Sequence, residues 1–253
     1  MAIVFLDLDG TLLYKGKPAP RALEAIKKLK KKGHIPVIAT GRVPYLVTEI
    51  KEELGIDSYI CANGTFIVYK NELVLERPVP LDIVKRLFYY ADLWQFDIVM
   101  EGKDVYLAYR KETKEVDEFS DIFNIEHPRV DKEYHLTNPL LSFNVFNDEV
   151  AEKLKPMFPE LVFNKANRIG YDINLAGDLK AEGMIYLVNH LKLHDEEVYA
   201  IGDGYNDLAM IKKAHFGIAM GNAFDELKQV ADYITTNCED GGVYDALKHF
   251  KLI

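Results

Sequence analysis

The first element of the chain is predicted from the stretch Ile3-Val4-Phe5-Leu6-Asp7-Leu8-Asp9-Gly10-Thr11. The apolar run Ile3–Leu8 is short and ends with acidic residues. This pattern predicts a strand of a parallel sheet that is buried on both of its faces. Residues two apart on a strand point to the same side, so we expect Asp7 and Asp9 to face one space. The stretch therefore predicts a buried strand with two carboxylates at its carboxyl end.

Strand and helix patterns alternate at both ends of the chain. The first half contains these predicted elements: a helix from Pro20 to Gly33, a strand at Ile35–Ala39, a helix ending at Gly55 and a strand at Ser58–Cys61. In the first helix, Leu23, Ile26 and Leu29 share the predicted buried face. The second half repeats the alternation: a helix at Leu179–Leu193, a strand at Val198–Ile201, a helix at Asn206–Lys213, a strand at Phe216–Ala219, a helix at Ala223–Val230 and a strand at Tyr233–Thr235. This order predicts an α/β fold with a doubly wound, Rossmann-like parallel sheet.

The middle of the chain has a different character and is richer in aromatic residues. It contains these predicted elements: an apolar helix at Leu81–Trp94 and strands at Asp97–Glu101, Val105–Tyr109, Leu141–Phe146 and Leu161–Phe163. A chain of 253 residues is long enough for two domains of modest size. We therefore expect a core domain formed by residues 1–78 and 174–253, and an inserted α+β cap domain formed by residues 79–173.

The charge, the apolar stretches and the cysteines of the chain argue against several classes of protein. A net charge of −9 argues against general binding to nucleic acid, and the basic run Lys27–Lys32 closes a predicted helix, where cations complement the helix dipole. Apolar stretches fall short of the ~20 residues that a membrane span requires. The residues before Asp7 lack a basic region, so we expect no signal peptide. Two distant cysteines without metal spacing fit a reduced, cytoplasmic protein, which we expect to be a monomer or a weak homodimer.

Polar motifs follow three of the predicted strands. These motifs are Asp7–Thr11, Thr40-Gly41-Arg42 and Gly202-Asp203-Gly204-Tyr205-Asn206-Asp207. Any one of them alone is typical of a turn or a helix cap. Ligands of open parallel sheets bind beyond the carboxyl ends of the strands, where all three motifs are expected. The three together therefore favour a functional site.

The acids of these motifs suggest a metal ion. Asp7, Asp9, Asp203 and Asp207 would repel one another in one pocket unless some stay protonated or a cation lies among them. The motifs offer oxygen ligands without histidine or cysteine, which favours a hard divalent ion. Mg²⁺ commonly takes one or two carboxylates and completes its shell with water and phosphate oxygens. The pattern therefore predicts a Mg²⁺ cofactor and phosphoryl chemistry.

These motifs also resemble a known family. Asp7–Leu12 resembles the first motif of the haloacid dehalogenase-like hydrolase superfamily, Ala39–Arg42 the second, Lys180 the lysine of the third, and Gly202–Asp207 the fourth. Ala181 departs from the glycine that usually follows that lysine. The long insertion, Cys61-Ala62-Asn63-Gly64 and Ala219-Met220-Gly221-Asn222-Ala223 are similar to the Cof-type branch, whose type IIB cap is an α/β domain.

The resemblance implies three catalytic residues. Asp7 would attack phosphorus and become an aspartyl-phosphate. Asp9 would act as general acid and then as general base. Lys180 would supply positive charge both to the phosphoryl group and to Asp7.

The resemblance also implies binding residues. The metal ligands would be Asp7, Asp9 through its backbone carbonyl, and Asp203. Asp207 would mainly hold these ligands in place. The expected phosphate-binding residues are Thr40, Gly41, Arg42, Lys180 and Asn206. For Arg42 a surface ion pair is an equal alternative.

The function implied is a phosphatase of small phosphorylated metabolites, such as sugar phosphates, nucleotides or phosphorylated vitamins. A phosphotransferase or mutase would use the same aspartyl-phosphate, and a non-catalytic sensor is a third hypothesis.

Other features of the sequence are explained by structure rather than by function. The aromatic residues between Phe88 and Phe96 are expected in the cap core, His127 and His135 on the surface, and the pair His190 and His194 is weak evidence for zinc.

Overall fold

The computed structural model describes residues 1–111, 113–123, 125–165 and 170–253. The chain forms two compact units. The larger unit comprises Met1–Arg42, Val47–Glu76 and Asp178–Ile253, and the smaller unit comprises Val43–Leu46 and Arg77–Gly177. Among the described residues, no helix combines the length and the apolar character that crossing a bilayer requires.

The strands of the described residues, in chain order, are β1 (Ala2–Leu6), β2 (Leu13–Tyr14), β3 (Lys17–Pro18), β4 (Ile35–Ala39), β5 (Tyr59–Cys61), β6 (Phe66–Tyr69), β7 (Glu72–Glu76), β8 (Val99–Glu101), β9 (Tyr106–Ala108), β10 (Arg129–Val130), β11 (Ser142–Val145), β12 (Leu161–Lys165), β13 (Tyr171–Leu175), β14 (Glu197–Gly202), β15 (Phe216–Ala219) and β16 (Tyr233–Ile234). The α-helices are α1 (Ala22–Lys31), α2 (Thr48–Leu54), α3 (Leu81–Trp94), α4 (Lys114–Phe123), α5 (Asp148–Leu154), α6 (Leu179–His190), α7 (Leu208–Lys213), α8 (Asp225–Val230) and α9 (Gly242–His249).

The larger unit is built on an eight-stranded sheet in the order β16-β15-β14-β1-β4-β5-β6-β7. The strands from β16 to β5 are parallel, which confirms the predicted doubly wound α/β fold. An antiparallel hairpin, β6–β7, extends the sheet beyond β5. Lys70 and Asn71 form its two-residue turn, and both have positive φ, as a type I′ turn requires.

Burial in the larger unit follows the expected periodicities. All five residues of β1 are buried, as expected for a central parallel strand. In α1, the buried residues Ala22, Ala25, Ile26 and Leu29 follow the spacing of an amphipathic helix. The prediction that Leu23 belongs to this face is wrong, because its position lies outside that stripe and its side chain is exposed.

The smaller unit has a six-stranded sheet in the order β10-β9-β8-β11-β13-β12. All neighbours are antiparallel except β9 and β10. Helix α3 has the predicted bounds, and its Phe88 ring lies 6.0 Å from the ring of Phe143 on β11. Phe88 and Phe96 are buried as expected, but Tyr89 is exposed.

The two histidines expected on the surface of this region differ in the structure. His127 is exposed and its ring nitrogens contact Asp117 and Asp121. The prediction for His135 is wrong, since this residue is buried and its ring stacks 4.0 Å from that of Phe88. A short helical turn, Tyr134–Leu136, brings the imidazole onto α3, and stacking favours burial of its apolar faces.

Candidate active site

A buried lysine lies between two buried aspartates in the larger unit. Asp7 follows β1, and its backbone N–H donates to the carbonyl of Ile201 on β14. Lys180, in the first turn of α6, donates from Nζ to Oδ1 of Asp7 over 2.6 Å and also to Oδ1 of Asp207. All three side chains are buried. The lysine charge therefore compensates two carboxylates that could not otherwise share this space.

These groups shift one another's ionisation. Burial raises the pKa of Asp7 well above its usual range, Lys180 opposes that rise, and the charges of Asp207 and Asp203 add to it. Burial acts to lower the pKa of Lys180, but the charges of Asp207 and Asp7 outweigh burial, and its pKa is raised. Lys180 is therefore a permanent cation of the site.

Asp207 has both carboxylate oxygens occupied. Its Oδ1 accepts from Lys180, while its Oδ2 accepts from the backbone N–H groups of Asp203 and Gly204 at 3.1 and 2.9 Å. Asp207 lies in the short helical turn Tyr205–Asp207 that follows β14. Its side chain thus fixes both the lysine and the loop that carries Asp203.

Asp203 is held by residues from two other strand ends. Its Oδ1 accepts from Oγ1 of Thr11 at 2.8 Å, and its Oδ2 accepts from Nδ2 of Asn222 at 3.2 Å. Gly10 has a φ of +81°, and a Cβ at that position would lie 2.2 Å from Asp203 Oδ2. Only glycine allows the loop after β1 to approach the carboxylate this closely.

The carboxylates of Asp7, Asp203 and Asp207 form the group that could hold a cation. One oxygen or more of each lies within 4.8 Å of the others, and among the described residues no other group of three side chains suited to metal binding is found. Burial raises the pKa of Asp203 to about 6, to which the charge of Asp207 contributes. Three carboxylates against one ammonium leave a net charge of −2 when all are ionised. An all-oxygen donor set with this charge fits Mg²⁺.

The carboxylate of Asp9 lies outside this group. Arg42 binds it in a two-pronged ion pair, with Nε to Oδ2 and Nη2 to Oδ1 both at 2.7 Å. The alternation expected for Asp7 and Asp9 does not hold, because β1 ends at Leu6 and a turn through Gly10 follows. Of the two alternatives for Arg42, the structure shows an ion pair, and the Asp9 side chain is 43 % exposed.

The second motif and the fourth meet through Asn63. Thr40 follows β4, is buried, and accepts from the backbone N–H of Arg42 at 3.1 Å. Asn206 donates to Oδ1 of Asn63 at 2.9 Å, and a Cβ at Gly41 would lie 3.2 Å from the same oxygen. Gly41 and Asn206 are therefore neighbours.

A close backbone contact positions the lysine. Gly64 ends the short helical turn Ala62–Gly64 with a φ of +108°, and a Cβ there would fall 1.9 Å from the carbonyl oxygen of Leu179. Only glycine fits, so this turn packs directly on the first turn of α6, where Lys180 stands.

The structure thus brings Asp7, Lys180, Asp203 and Asp207 together and joins Asp9 to Arg42. Sequence reasoning assigned no role to three residues that contribute contacts here: Thr11, Asn63 and Asn222. Each is a polar residue just after β1, β5 or β15, so position at a carboxyl strand end was the available signal.

Comparisons with known proteins agree with these motifs. Residues 4–247 match the model of a family described as haloacid dehalogenase-like hydrolase. The chain is 32 % identical over 255 residues to 5-amino-6-(5-phospho-D-ribitylamino)uracil phosphatase YcsE of Bacillus subtilis (strain 168), with 99 % of this chain and 96 % of that protein covered.

Solved structures share the whole fold. A hypothetical protein from Geobacillus kaustophilus HTA426 superposes with a TM-score of 0.93 at 32 % identity, covering 100 % of this chain and 99 % of that one. The sugar phosphatase BT4131 of subclass IIB superposes with a TM-score of 0.85 at 26 % identity and covers both chains completely.

Proposed function

The chain belongs to the haloacid dehalogenase-like hydrolases, a phosphatase family, and from this premise we propose that it is a Mg²⁺-dependent phosphatase of small metabolites. We propose that its reaction passes through an aspartyl-phosphate on Asp7. One observation carries this proposal: Lys180 holds Oδ1 of Asp7 at 2.6 Å inside a buried acidic cluster. Among the described residues no hydrogen bond to Oδ2 of Asp7 is found, which leaves that oxygen for nucleophilic attack.

In the first step, Oδ2 of Asp7 attacks phosphorus and the bond from phosphorus to the ester oxygen breaks. Asp9 gives its proton to the departing alkoxide. In the second step, Asp9 takes a proton from water, the water oxygen attacks phosphorus, and the bond to Asp7 breaks. Inorganic phosphate and free Asp7 result, so that one difficult displacement is divided into two easier ones.

Lys180 contributes charge rather than protons. Its ammonium offsets the carboxylate of Asp7, which lets a negatively charged phosphoryl group approach a negatively charged nucleophile. Thr40, the Gly41 amide and Asn206 would bind the other phosphoryl oxygens. Positioning and charge stabilisation supply most of the rate in phosphoryl transfer.

The pair of Asp9 and Arg42 has a role before the chemistry. The two-pronged contact orients the Asp9 carboxylate. A phosphate group competes for the Arg42 guanidinium, and release of Arg42 frees the Asp9 carboxyl group for its acid and base role. Both alternatives for Arg42, ion pair and phosphate contact, then belong to one cycle.

Mg²⁺ would be held by the carboxylates of Asp7 and Asp203 and by the backbone carbonyl of Asp9. When bound, the ion neutralises charge on the phosphoryl oxygens. Asp207 would contribute by holding its neighbours, since its oxygens accept from Lys180 and from two backbone N–H groups. We therefore assign Asp207 to fixing Lys180 and the Asp203 loop.

The substrate we propose is a small phosphorylated metabolite. Support comes from the relatives, one of which is named for a phosphorylated ribitylamino compound and another as a sugar phosphatase. We assign the smaller unit as the cap domain. The negative net charge and the two unpaired cysteines support a cytoplasmic enzyme without nucleic-acid partners.

One assay tests the proposal. Hydrolysis of an aryl phosphate is measured with Mg²⁺, with excess chelator, and with the Asp7→Asn variant. We expect activity only for the wild type with Mg²⁺, since the carboxamide that replaces the nucleophile cannot attack phosphorus. An unchanged thermal melt of the variant shows that folding is not the cause. Full activity in chelator would exclude the metal role, and full activity of the variant would exclude Asp7 as the nucleophile.

A further inference from the structure

The turn that follows β5 in the larger unit has a strained backbone. Ala62, Asn63 and Gly64 have φ values of +46°, +52° and +108°, so three successive residues lie in the left-handed region. Alanine adopts this conformation with difficulty, because its Cβ approaches a carbonyl oxygen, whereas glycine and asparagine adopt it more readily. Backbone strain of this kind persists only where surrounding contacts hold it, and it is concentrated at functional sites. We call Ala62–Gly64 the strained turn.

Contacts with two neighbouring elements hold the strained turn. The backbone N–H of Ala62 donates to the carbonyl of Arg42 at 2.8 Å, and the N–H of Asn63 donates to the carbonyl of Thr40 at 3.1 Å. On the other side, Gly64 packs directly on the first turn of α6. These contacts are made by the backbone and would be the same with glycine at position 63. The amide side chain of Asn63 is therefore left for another role.

That side chain lies beside two residues to which we assign phosphate binding. A Cβ built on Gly41 would lie 3.2 Å from Oδ1 and 3.4 Å from Nδ2 of Asn63. The same point would lie 3.5 Å from Nδ2 of Asn206. Asn206 in turn donates from Nδ2 to Oδ1 of Asn63 at 2.9 Å. The amides of both asparagines therefore lie next to each other on one side of Gly41.

The Asn63 amide has an unused donor. Its Oδ1 accepts from Asn206, and within the described part of the chain its Nδ2 has no hydrogen-bond acceptor. The Nδ2 group carries two hydrogens that it can donate. Asn63 is half-buried, so a ligand can reach it. Because the unused group is a donor, its ligand must offer acceptor oxygens, as a phosphoryl group does.

We propose that Asn63 is a further phosphate-binding residue, an inference that rests on the roles of Gly41 and Asn206 in the proposed function. Nδ2 of Asn63 donates to a phosphoryl oxygen. Its Oδ1 holds one N–H of Asn206, which leaves the other N–H of that amide for the same phosphoryl group. Hydrogen bonds to an anion are stronger than those between neutral groups. The strained turn then has a use, because it places the amide beside Gly41 and packs on the helix that carries Lys180.

The test measures binding of inorganic phosphate by calorimetry in the presence of Mg²⁺, together with kcat/KM for an aryl phosphate. Asn63→Gly removes the amide and keeps a residue suited to positive φ. We expect phosphate binding and kcat/KM each to fall by about tenfold or more, as for loss of a hydrogen bond to a charged group. Asn71→Gly is the matched control and should keep the wild-type values, since Asn71 also has a positive φ, of 64°, but lies in the turn between β6 and β7.

A double-mutant cycle separates direct binding from an effect through Asn206. In an Asn206→Ala background, Asn63→Gly should weaken phosphate binding by a further factor of about five or more, because Asn63 itself donates to phosphate. The absence of any further loss would mean that Asn63 only orients Asn206, and the inference would be overturned.

Asn63→Asp is the conservative variant, and it serves alone if Asn63→Gly melts at a lower temperature than the control. Aspartate tolerates positive φ and keeps an acceptor for Asn206, but it has no donor when ionised. We expect it to bind phosphate no better than Asn63→Gly, and at least tenfold more weakly than the wild type. Phosphate binding at the wild-type level in Asn63→Asp would overturn the inference, because the acceptor alone would then be sufficient.

The outcomes distinguish the two proposals. Wild-type binding and turnover in Asn63→Gly overturn this inference and leave the phosphatase in place. Phosphate binding that depends on Asn63, in a wild type that does not hydrolyse the aryl phosphate, overturns the proposed function alone. A wild type that neither binds phosphate nor hydrolyses the ester overturns both.

Discussion

The larger and the smaller unit both bury acids, but they compensate them differently. In the larger unit, Lys180 lies between Asp7 and Asp207, and backbone N–H groups complete the second oxygen of Asp207. There Lys180 opposes the rise in the pKa of Asp7 that burial causes, whereas in the smaller unit no cation among the contacts described opposes the effect of burial on Glu101, whose pKa is raised to about 8. The first arrangement keeps charges available for chemistry. The second removes a charge and leaves a carboxyl group that can both donate and accept a hydrogen bond.

The largest expected effect comes from removing the charge of Lys180, which lies between Asp7 and Asp207. In Lys180→Met, two buried carboxylates lose their partner, and breaking a buried ion pair costs about 3–5 kcal/mol. We expect that loss in urea unfolding, together with a fall in aryl phosphate turnover of about 10³-fold or more, since Lys180 would stabilise both nucleophile and phosphoryl group.

Lys213→Met is the matched control. Lys213 is a partly exposed lysine 3.7 Å from Asp178, and exposed ion pairs contribute about 0–1 kcal/mol. This variant should therefore retain both stability and turnover. If Lys180→Met behaved like the control, the lysine would be neither a structural nor a catalytic part of the cluster.

In the same unit, a substitution at Asp9 should lower activity without lowering stability. Asp9→Asn keeps an acceptor for Arg42 but cannot transfer protons, so we expect kcat to fall by roughly 10²–10⁴ with little change in the thermal melt. An aryl leaving group departs without an acid, so the variant should still phosphorylate Asp7. Rapid mixing should show a burst of about one phenolate per enzyme.

The exposed Asp195→Asn provides the comparison for this variant and should show normal steady turnover. Steady turnover by Asp9→Asn at the wild-type rate would place the acid and base role on another residue. Slow turnover without a burst would instead place Asp9 in the attack of Asp7 itself.

Local patterns predicted much of the fold. The family, the α/β class and the class of enzyme inferred from the motifs are confirmed. Strands β4 and β15 and helix α3 have the predicted bounds, because their apolar runs are bounded by clear turn or cap residues. Helices α4, α5 and α9, the hairpin β6–β7 and strand β13 are among the elements that the sequence did not predict. Strand β13 alternates Tyr171, Ile173 and Leu175 with Asp172 and Asn174, and these polar residues are typical of a loop when no partner strand is known.

For the site, the sequence predicted only that residues at the carboxyl ends of neighbouring strands lie close together. That Asp7 and Asp203 lie close together follows from the parallel order of β1 and β14. The pairs formed by Lys180 with Asp207 and by Arg42 with Asp9 join residues 27 and 33 positions apart, and their geometry depends on how helices and turns pack on the sheet. In the smaller unit, the side-chain oxygens of Asn144 and Asn174 are buried without a hydrogen-bond partner among the described residues, and predicting this would require the strand register, which single-sequence patterns do not supply.

The smallest expected effect is a change in how stability depends on pH, and it tests the buried Glu101 of the smaller unit. The pKa of Glu101 is raised from an ordinary 4.5 to about 8, so between these values the folded protein holds a proton that the unfolded chain has released. Stability should therefore fall as pH rises through this window, by up to about 1.4 kcal/mol per pH unit from this group. Glu101→Gln has no proton to lose, so its free energy of unfolding in urea should fall less steeply from pH 5.5 to 7.5.

The exposed Glu160→Gln is the control for that slope. The hydrogen bond from Arg86 lowers the pKa of Glu160, so its contribution to stability is present above its ordinary pKa and is lost only at more acidic pH. Its variant should leave the slope between pH 5.5 and 7.5 unchanged. The shifted groups of the larger unit, Asp7 and Asp203, titrate in all three proteins, so the difference in slope between the wild type and Glu101→Gln isolates the smaller unit. Equal slopes would mean that Glu101 is charged in the folded protein, and the contrast between a charged and a neutral buried site would fail.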